Sequence, residues 1–346
     1  MKSNFIKLIQ PDDWHVHLRE GDMLESVIKY SYRINHRCIV MPNLDSPLIS
    51  IDQGLDYKKK IHSFSKGKKF TPLIPCYLTD KMDLIEFKKS LDHNVYIGAK
   101  LYPSNATNNS VYGVTKIENI FPALKILEQN QKLLLIHGEK INEKIDIFDR
   151  EKYFIDEELE IIRKKFPNLK IVLEHVSSKY GADYVNNNKN IAATITPQHL
   201  MLTKKDVFFD NSIDPHNFCM PVVKEEKDLI SLRAYATSGN PKFFLGTDSA
   251  PHDIKYKISN FSSKPGIFSS PCSIEIYTSI FEEENALNKL ETFCSINGPT
   301  FYDLPINTNY LKLIREKWRV PEFTTFKDIK IKNFMGGKEI NWKVVE

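Results

Sequence analysis

The chain has 346 residues, 41% of them hydrophobic and 27% charged, close to the averages of globular proteins, which excludes disordered and fibrous classes. Lysine and arginine (48) nearly balance aspartate and glutamate (44), and a net charge of +4 speaks against a dedicated nucleic-acid binder with its basic stripe. Five widely spaced cysteines without a C-x-x-C pair, no apolar run of membrane-spanning length and no signal-peptide core in Met1–Gln10 point to a cytoplasmic protein that neither carries disulfides nor enters a membrane.

Taken in chain order, short apolar runs end in polar residues and alternate with segments of helical periodicity. The runs predict strands at Phe5–Ile9, Arg37–Met41, Thr71–Leu78, Val95–Lys100, Leu133–His137, Ile171–His175, Ile191–Thr196 and Phe243–Asp248. Between them, segments such as Asp22–Ile34, Met82–Leu91, Ile117–Glu128 and Ile155–Phe166 predict helices. Strand and helix alternating eight times is the pattern of a parallel sheet. From His15 to Asp248 the repeat averages about 33 residues, close to the ~31 of a (β/α)₈ barrel. The predicted fold is therefore α/β, a (β/α)₈ TIM barrel over about residues 5–295, with a short C-terminal extension over about 296–346, all in one domain. An open doubly wound sheet is the alternative, but it needs a glycine-rich turn after the first strand, where this chain has Pro11-Asp12-Asp13-Trp14-His15. The last helix is expected from Glu275 to about Asn288. Two short alternating segments follow, near Asp328–Ile331 and Trp342–Val345, with no placement implied.

In such a barrel the loops after the strands converge on one mouth, so strand ends are where chemistry is expected. His15 and His17, two residues apart, point to the same side of an extended segment and can grip one cation together. His137 and His175 each close an apolar run. Four imidazoles and the Asp248 carboxylate converging on one mouth predict a metal site, and these donors suit zinc and neighbouring first-row metals. Lys100 is the odd member, because a bare ammonium beside metal cations is unfavourable. The residues alone favour an ion pair with a carboxylate such as Glu174 over a deprotonated, modified lysine.

The set Asp13-Trp14-His15-Val16-His17-Leu18-Arg19, Met41-Pro42-Asn43-Leu44, Gly98-Ala99-Lys100-Leu101-Tyr102-Pro103, Leu135-Ile136-His137-Gly138-Glu139, Leu173-Glu174-His175-Val176-Ser177, Thr196-Pro197-Gln198-His199-Leu200 and Gly246-Thr247-Asp248-Ser249-Ala250-Pro251-His252 resembles the amidohydrolase superfamily. Within it, the chain resembles the dihydroorotase family in its short, single-function bacterial form. The likeness runs in order over nearly the whole chain, including Asn297-Gly298-Pro299 after the barrel. The H-x-H pair is common to the superfamily, whereas D-W-H-x-H-L-R with K-L-Y-P and G-T-D-S-A-P-H is specific to this family.

The resemblance implies that Lys100 is N-carboxylated, which reverses the ion-pair preference, and that its carbamate bridges two Zn²⁺ ions per subunit. His15, His17 and Asp248 would hold one ion, and His137 and His175 the other. It further implies reversible hydrolysis of the cyclic amide of dihydroorotate to N-carbamoyl-aspartate by a hydroxide shared between the metals. Asp248 would be general base and then general acid, and ring closure the direction of pyrimidine synthesis. Arg19, Asn43, His252 and the backbone of Met220 match substrate-binding positions, with methionine where the family usually has leucine. Ser104–Ser110 matches a mobile lid that usually offers two adjacent threonines to the substrate; here they are Thr107 and Asn108. A homodimer is implied as well. Another cyclic-amide hydrolase (hydantoinase or allantoinase) would share the ligands but not Arg19, Asn43 and His252 together. A non-catalytic paralogue scaffolding a transcarbamoylase would lack metal ligands, and none is missing here.

Overall fold

Strands buried on both faces read as continuous apolar runs rather than alternating ones, and that pattern builds the centre of this molecule. The computed structural model describes residues 4–257 and 263–345. Its strands are β1 (Phe5–Ile9), β2 (Asp13–Val16), β3 (Arg37–Val40), β4 (Thr71–Leu73), β5 (Cys76–Tyr77), β6 (Gly98–Leu101), β7 (Leu133–Ile136) and β8 (Ile171–Leu173). They continue with β9 (Ile191–Ile195), β10 (Phe208–Phe209), β11 (Ser212–Ile213), β12 (Phe243–Leu245), β13 (Tyr310–Arg319), β14 (Phe323–Phe326), β15 (Ile329–Lys332) and β16 (Glu339–Val345).

β2, β3 and β4 lie side by side in parallel, and so do β5, β6, β7, β8, β9 and β12. A parallel bridge from Val16 to Ser249 joins β2 to the chain leaving β12 and closes the ring. Pro75, which has no N–H to give a ladder, divides the third strand into β4 and β5. Each of the eight strand positions is followed by a helix: Gly21–Ile34, Ile51–Phe64, Leu84–Asp92, Phe121–Gln129, the composite Arg150–Lys165, Lys179–Asn187, Glu226–Thr237 and Ser273–Glu283. The strands alternate between two cores. Ile39, Leu133, Leu135, Val172 and Phe244 fill the barrel with Trp14 and Tyr302, while Val40, Leu134, Ile136 and Phe243 face the helices. This is the (β/α)₈ barrel the sequence predicts.

Four expectations are corrected. Phe5–Ile9 is a strand but not the first of the barrel: it pairs antiparallel with β13, and Asp13–Val16 takes the barrel position. Its exposure, with Phe5 and Lys7 outward and Leu8 buried, is that of a one-sided surface strand. Thr71–Leu78 is interrupted at Ile74–Pro75, and the last helix ends at Glu283. The tail is also more than two short segments. β1, β13 and β16 form a three-stranded sheet, with β16 against the helix Ser273–Glu283, and β14 and β15 form a hairpin. Trp342, fully buried on β16, donates its Nε1–H to Glu282 at 3.0 Å. No helix among the described residues is long and apolar enough to cross a membrane.

Candidate active site

The polar residues gather where the barrel leaves room for them, at the carboxyl ends of its strands. His15 lies in β2 and His17 just beyond it, with their Nε2 atoms 3.3 Å apart. Asp248, three residues past β12, places Oδ1 3.3 Å from His15 Nε2 and 3.2 Å from His17 Nε2. A point equidistant from three atoms so spaced lies about 1.9 Å from each, against roughly 2.0–2.1 Å for zinc–imidazole bonds. The donor set thus fits a divalent ion in number, type and spacing. Beneath it Asp13 ties the first strand to the last. Its carboxylate accepts from Thr247 N at 2.9 Å, Thr247 Oγ1 at 2.6 Å and His15 N at 3.1 Å.

The remaining predicted ligands adjoin this set. The His137 and His175 rings lie 4.8 Å apart between centroids, and the His15 and His175 rings 5.0 Å. His137 Nε2 is 2.7 Å from Glu139, which fixes its orientation and leaves Nδ1 as the nitrogen able to bind a metal. His175 Nδ1 has no partner among the described residues although the residue is buried. Glu174 stands between His15, whose Nδ1 is 3.0 Å from Oε1, and Lys100, which donates to Oε2. The fully buried Lys100 therefore carries the ion pair that its residue chemistry favours. Without a third donor from Lys100, the second set offers only the two imidazoles.

The electrostatics divide the histidines. Burial, helped by Arg19, holds His17 neutral with its pKa at about 3, and burial with His137 holds His175 well below the ordinary range. Neutral imidazoles with free lone pairs are what a metal requires. Burial also opposes charge on His15, but Glu174 and Asp248 outweigh it and raise it to about 9. Against their own burial, His15 keeps Asp248 ionised, and His15 with Lys100 does the same for Glu174. Arg19, His175 and Asp248 all have positive φ (62°, 43° and 44°), a conformation non-glycine residues rarely hold except where the surroundings over-determine it.

Ten of the twelve predicted site residues line one pocket: His15, His17, Arg19, Asn43, Thr107, Asn108, His137, His175, Met220 and Asp248. Lys100 lies beneath it, and His252 faces the adjoining vestibule shared with Arg19, Asn43 and Asn108. Arg19 reaches His252 at 3.1 Å and the Pro251 carbonyl at 3.3 Å, while Tyr57 holds the Arg19 carbonyl at 2.7 Å. The predicted lid lies across the mouth. Asn43 donates to the Asn108 carbonyl at 3.1 Å, and Asn109 to the Asn43 carbonyl at 3.1 Å. The Asn108 amide nitrogen donates to the Pro265 carbonyl at 2.6 Å and approaches His252 at 3.2 Å, so it docks the predicted lid on the protein.

Several contributors were not singled out from the sequence. Glu139 carried a signal, two residues after His137. Asp13 sits inside the D-W-H motif, but its partner Thr247 is remote in sequence. His199, in the T-P-Q-H-L stretch, bonds Thr196 at 2.7 Å and the Pro221 carbonyl at 3.0 Å, next to Met220.

The chain matches no family model. It is 45% identical over 344 residues to a dihydroorotase of Yersinia enterocolitica, covering 98% of this chain and 97% of that one. It is 43% identical over 344 residues to a dihydroorotase of Salmonella paratyphi C, covering 99% and 98%. Among solved structures it resembles the dihydroorotase of Saccharomyces cerevisiae in complex with 5-fluoroorotic acid, with a TM-score of 0.92 and 31% identity over 99% of both chains. It also resembles that of Campylobacter jejuni, with a TM-score of 0.91 and 32% identity over 100% of this chain and 99% of that one. An L-hydantoinase of Arthrobacter aurescens shares the fold alone, at a TM-score of 0.81 and 15% identity over 98% and 83%.

Proposed function

The chain belongs to the dihydroorotase family, and from that premise we propose how its residues carry out the family's reaction. It is a hydrolase of pyrimidine synthesis that opens and closes the cyclic amide of dihydroorotate, with N-carbamoyl-aspartate on the open side. The observation that carries the site assignment is the triangle of His15, His17 and Asp248 at the floor of a pocket whose mouth holds Arg19, Asn43 and His252.

Two zinc ions would be held by His15, His17 and Asp248 and by His137 and His175, with a carboxylated Lys100 between the sets. Bound there, they supply a water of lowered pKa and polarisation of the amide carbonyl. Carboxylation would start from the neutral amine: the Lys100 ammonium gives up one proton, Nζ bonds to carbon dioxide, and a second proton leaves, so that a cation becomes an anion. Glu174 then keeps His15 Nδ1 as its partner and holds Nε2 toward Asp248, as Glu139 orients His137. Asp248 takes a proton as the amide is attacked and returns it to the leaving ring nitrogen. Arg19 offers a planar fork to the substrate carboxylate, with Asn43 and His252 beside it and the Met220 backbone against the ring. Thr107 donates a hydroxyl from the lid, whose closure excludes water. The 5-fluoroorotic acid in the yeast neighbour, itself a carboxylic acid, supports a carboxylate site here.

Five unpaired, buried cysteines support a reducing compartment, the cytoplasm, and the family likeness supports a homodimer. The test is activity on dihydroorotate against hydantoin and allantoin, with metal measured per chain. Activity confined to dihydroorotate with two zinc ions is expected. Lys100→Ala should lose activity by orders of magnitude and regain part of it with short carboxylic acids. Wild-type activity and metal content in that variant would end the carbamate assignment.

A further inference from the structure

Lys257 is a buried lysine, 8% exposed, with no carboxylate among the described residues within ion-pair distance. Its ammonium instead donates to three backbone carbonyls, those of Gly266 at 2.7 Å, Lys264 at 2.9 Å and Phe218 at 3.3 Å. Three N–H donors meeting three acceptors satisfy the group completely. Burial pushes Lys257 down to about 7, so a cation is costly at this position.

The carbonyls belong to two segments that are distant in sequence and both line the substrate pocket: Phe218 is two residues before Met220, and Lys264 and Gly266 flank Pro265. Gly266 N donates to the same Phe218 carbonyl at 2.9 Å, so the ammonium and one backbone bond knot the segments together. Pro265 cannot join that ladder through an N–H of its own. Its carbonyl receives Asn108 from the lid at 2.6 Å and lies 3.1 Å from His252. The orientation of that carbonyl is thus set by the residues on either side of it, which Lys257 holds.

We propose that Lys257 is a positioning residue for substrate binding: it fixes the pocket wall formed by Met220, Pro265 and Gly266 and holds the Pro265 carbonyl on which the closed lid docks. No part of Lys257 touches the metal ligands or needs to touch substrate. Its effect reaches the reaction through the backbone it clamps. The inference rests on the reading of this pocket as the substrate site.

The experiment compares Lys257→Met, which keeps the length and apolar stem but has no donors, with Arg19→Met and the wild type, all metal-loaded. For Lys257→Met, KM for dihydroorotate should rise at least fivefold while kcat stays within threefold. Hydrogen exchange of residues 104–111 without substrate should be faster than in the wild type. A folded Lys257→Met with wild-type KM, or with unchanged exchange in that segment, overturns the proposal. Should Lys257→Met fail to fold, Lys257→Gln, one atom shorter and with two donors that cannot serve all three carbonyls, decides by the same two readouts. If Arg19→Met also leaves KM unchanged, the substrate-site reading itself has failed; a raised KM in Arg19→Met alone rejects only the role of Lys257.

Discussion

In the proposed reaction Arg19 meets an anion and Asp248 handles a proton, so replacing them separates binding from chemistry. Arg19→Met removes a charge-assisted contact present in ground and transition states alike, and KM should rise by at least ~10-fold with kcat little changed. Asp248→Asn keeps the shape but cannot take a proton, and kcat should fall by about 10²–10⁴ with some loss of metal. Steady-state kinetics and metal analysis of both variants check this, and an unchanged KM in Arg19→Met means the carboxylate lies elsewhere. His199 allows a test that does not involve the proposed metal ligands. Burial, with Lys224 nearby, pulls its pKa from 6.5 to about 4, so the folded protein keeps it neutral where the unfolded chain would protonate it. Stability from this group is therefore present above pH 6.5 and is lost as pH falls toward 4, at about 1.4 kcal/mol per pH unit. His199→Gln can still donate to the Pro221 carbonyl but does not titrate. Denaturation midpoints across that window should fall less steeply in the variant, and parallel curves would show that His199 contributes nothing to acid unfolding.

At the scale of elements, the lid is held by hydrogen bonds rather than by an apolar face, since Asn108 and Asn109 make its main contacts across the mouth. Thr107→Val, which keeps shape but removes the hydroxyl, should cut kcat/KM at least tenfold, about 1.4 kcal/mol of transition-state stabilisation. Asn108→Thr is too short to keep the Pro265 bond, so it should speed hydrogen exchange in residues 104–111 and raise KM. A variant with wild-type KM and exchange would mean that this bond does not hold the lid. The barrel strands were legible because burial on both faces writes each as an unbroken apolar run, and the proposed ligands stood out because His137, His175 and Asp248 interrupt or end such runs. β13 was not legible, since Tyr310–Arg319 alternates only over its first four residues before the charged run Arg315–Lys317 breaks the pattern, and its partner β1 is about 300 residues away. Asp13, bonded to Thr247, and Lys257, bonded to the Phe218 carbonyl, stayed hidden for the same reason. Only the folded chain brings those partners together, whereas Glu139 lay within reach of its motif.

Across the whole molecule, the two ends of the barrel are joined through its inner core. Trp14 stacks on Tyr302 with centroids 4.3 Å apart and meets Phe244 edge-on at 6.2 Å, so the ring is fixed from two sides. On a third side is Gly298, where a Cβ would lie 1.9 Å from Trp14 Nε1 and 2.4 Å from Cε2. No rotation of a ring packed in this way clears that contact, so either the helix Asn297–Phe301 or Trp14 must move. Trp14 lies between Asp13, which ties β2 to Thr247, and His15, a proposed metal ligand. Its displacement therefore tilts the strand whose other end carries His15 and His17. Gly298→Ala should cost about 1–3 kcal/mol or more by overpacking and, unlike an ordinary core substitution, should also weaken metal binding at the far end of the barrel. Thermal unfolding and competition with a chelator, measured on the same preparations, test both halves. Lower stability with wild-type metal affinity would show that the strand absorbs the displacement before it reaches His15, and an unchanged melting temperature would mean that the helix makes room without disturbing Trp14.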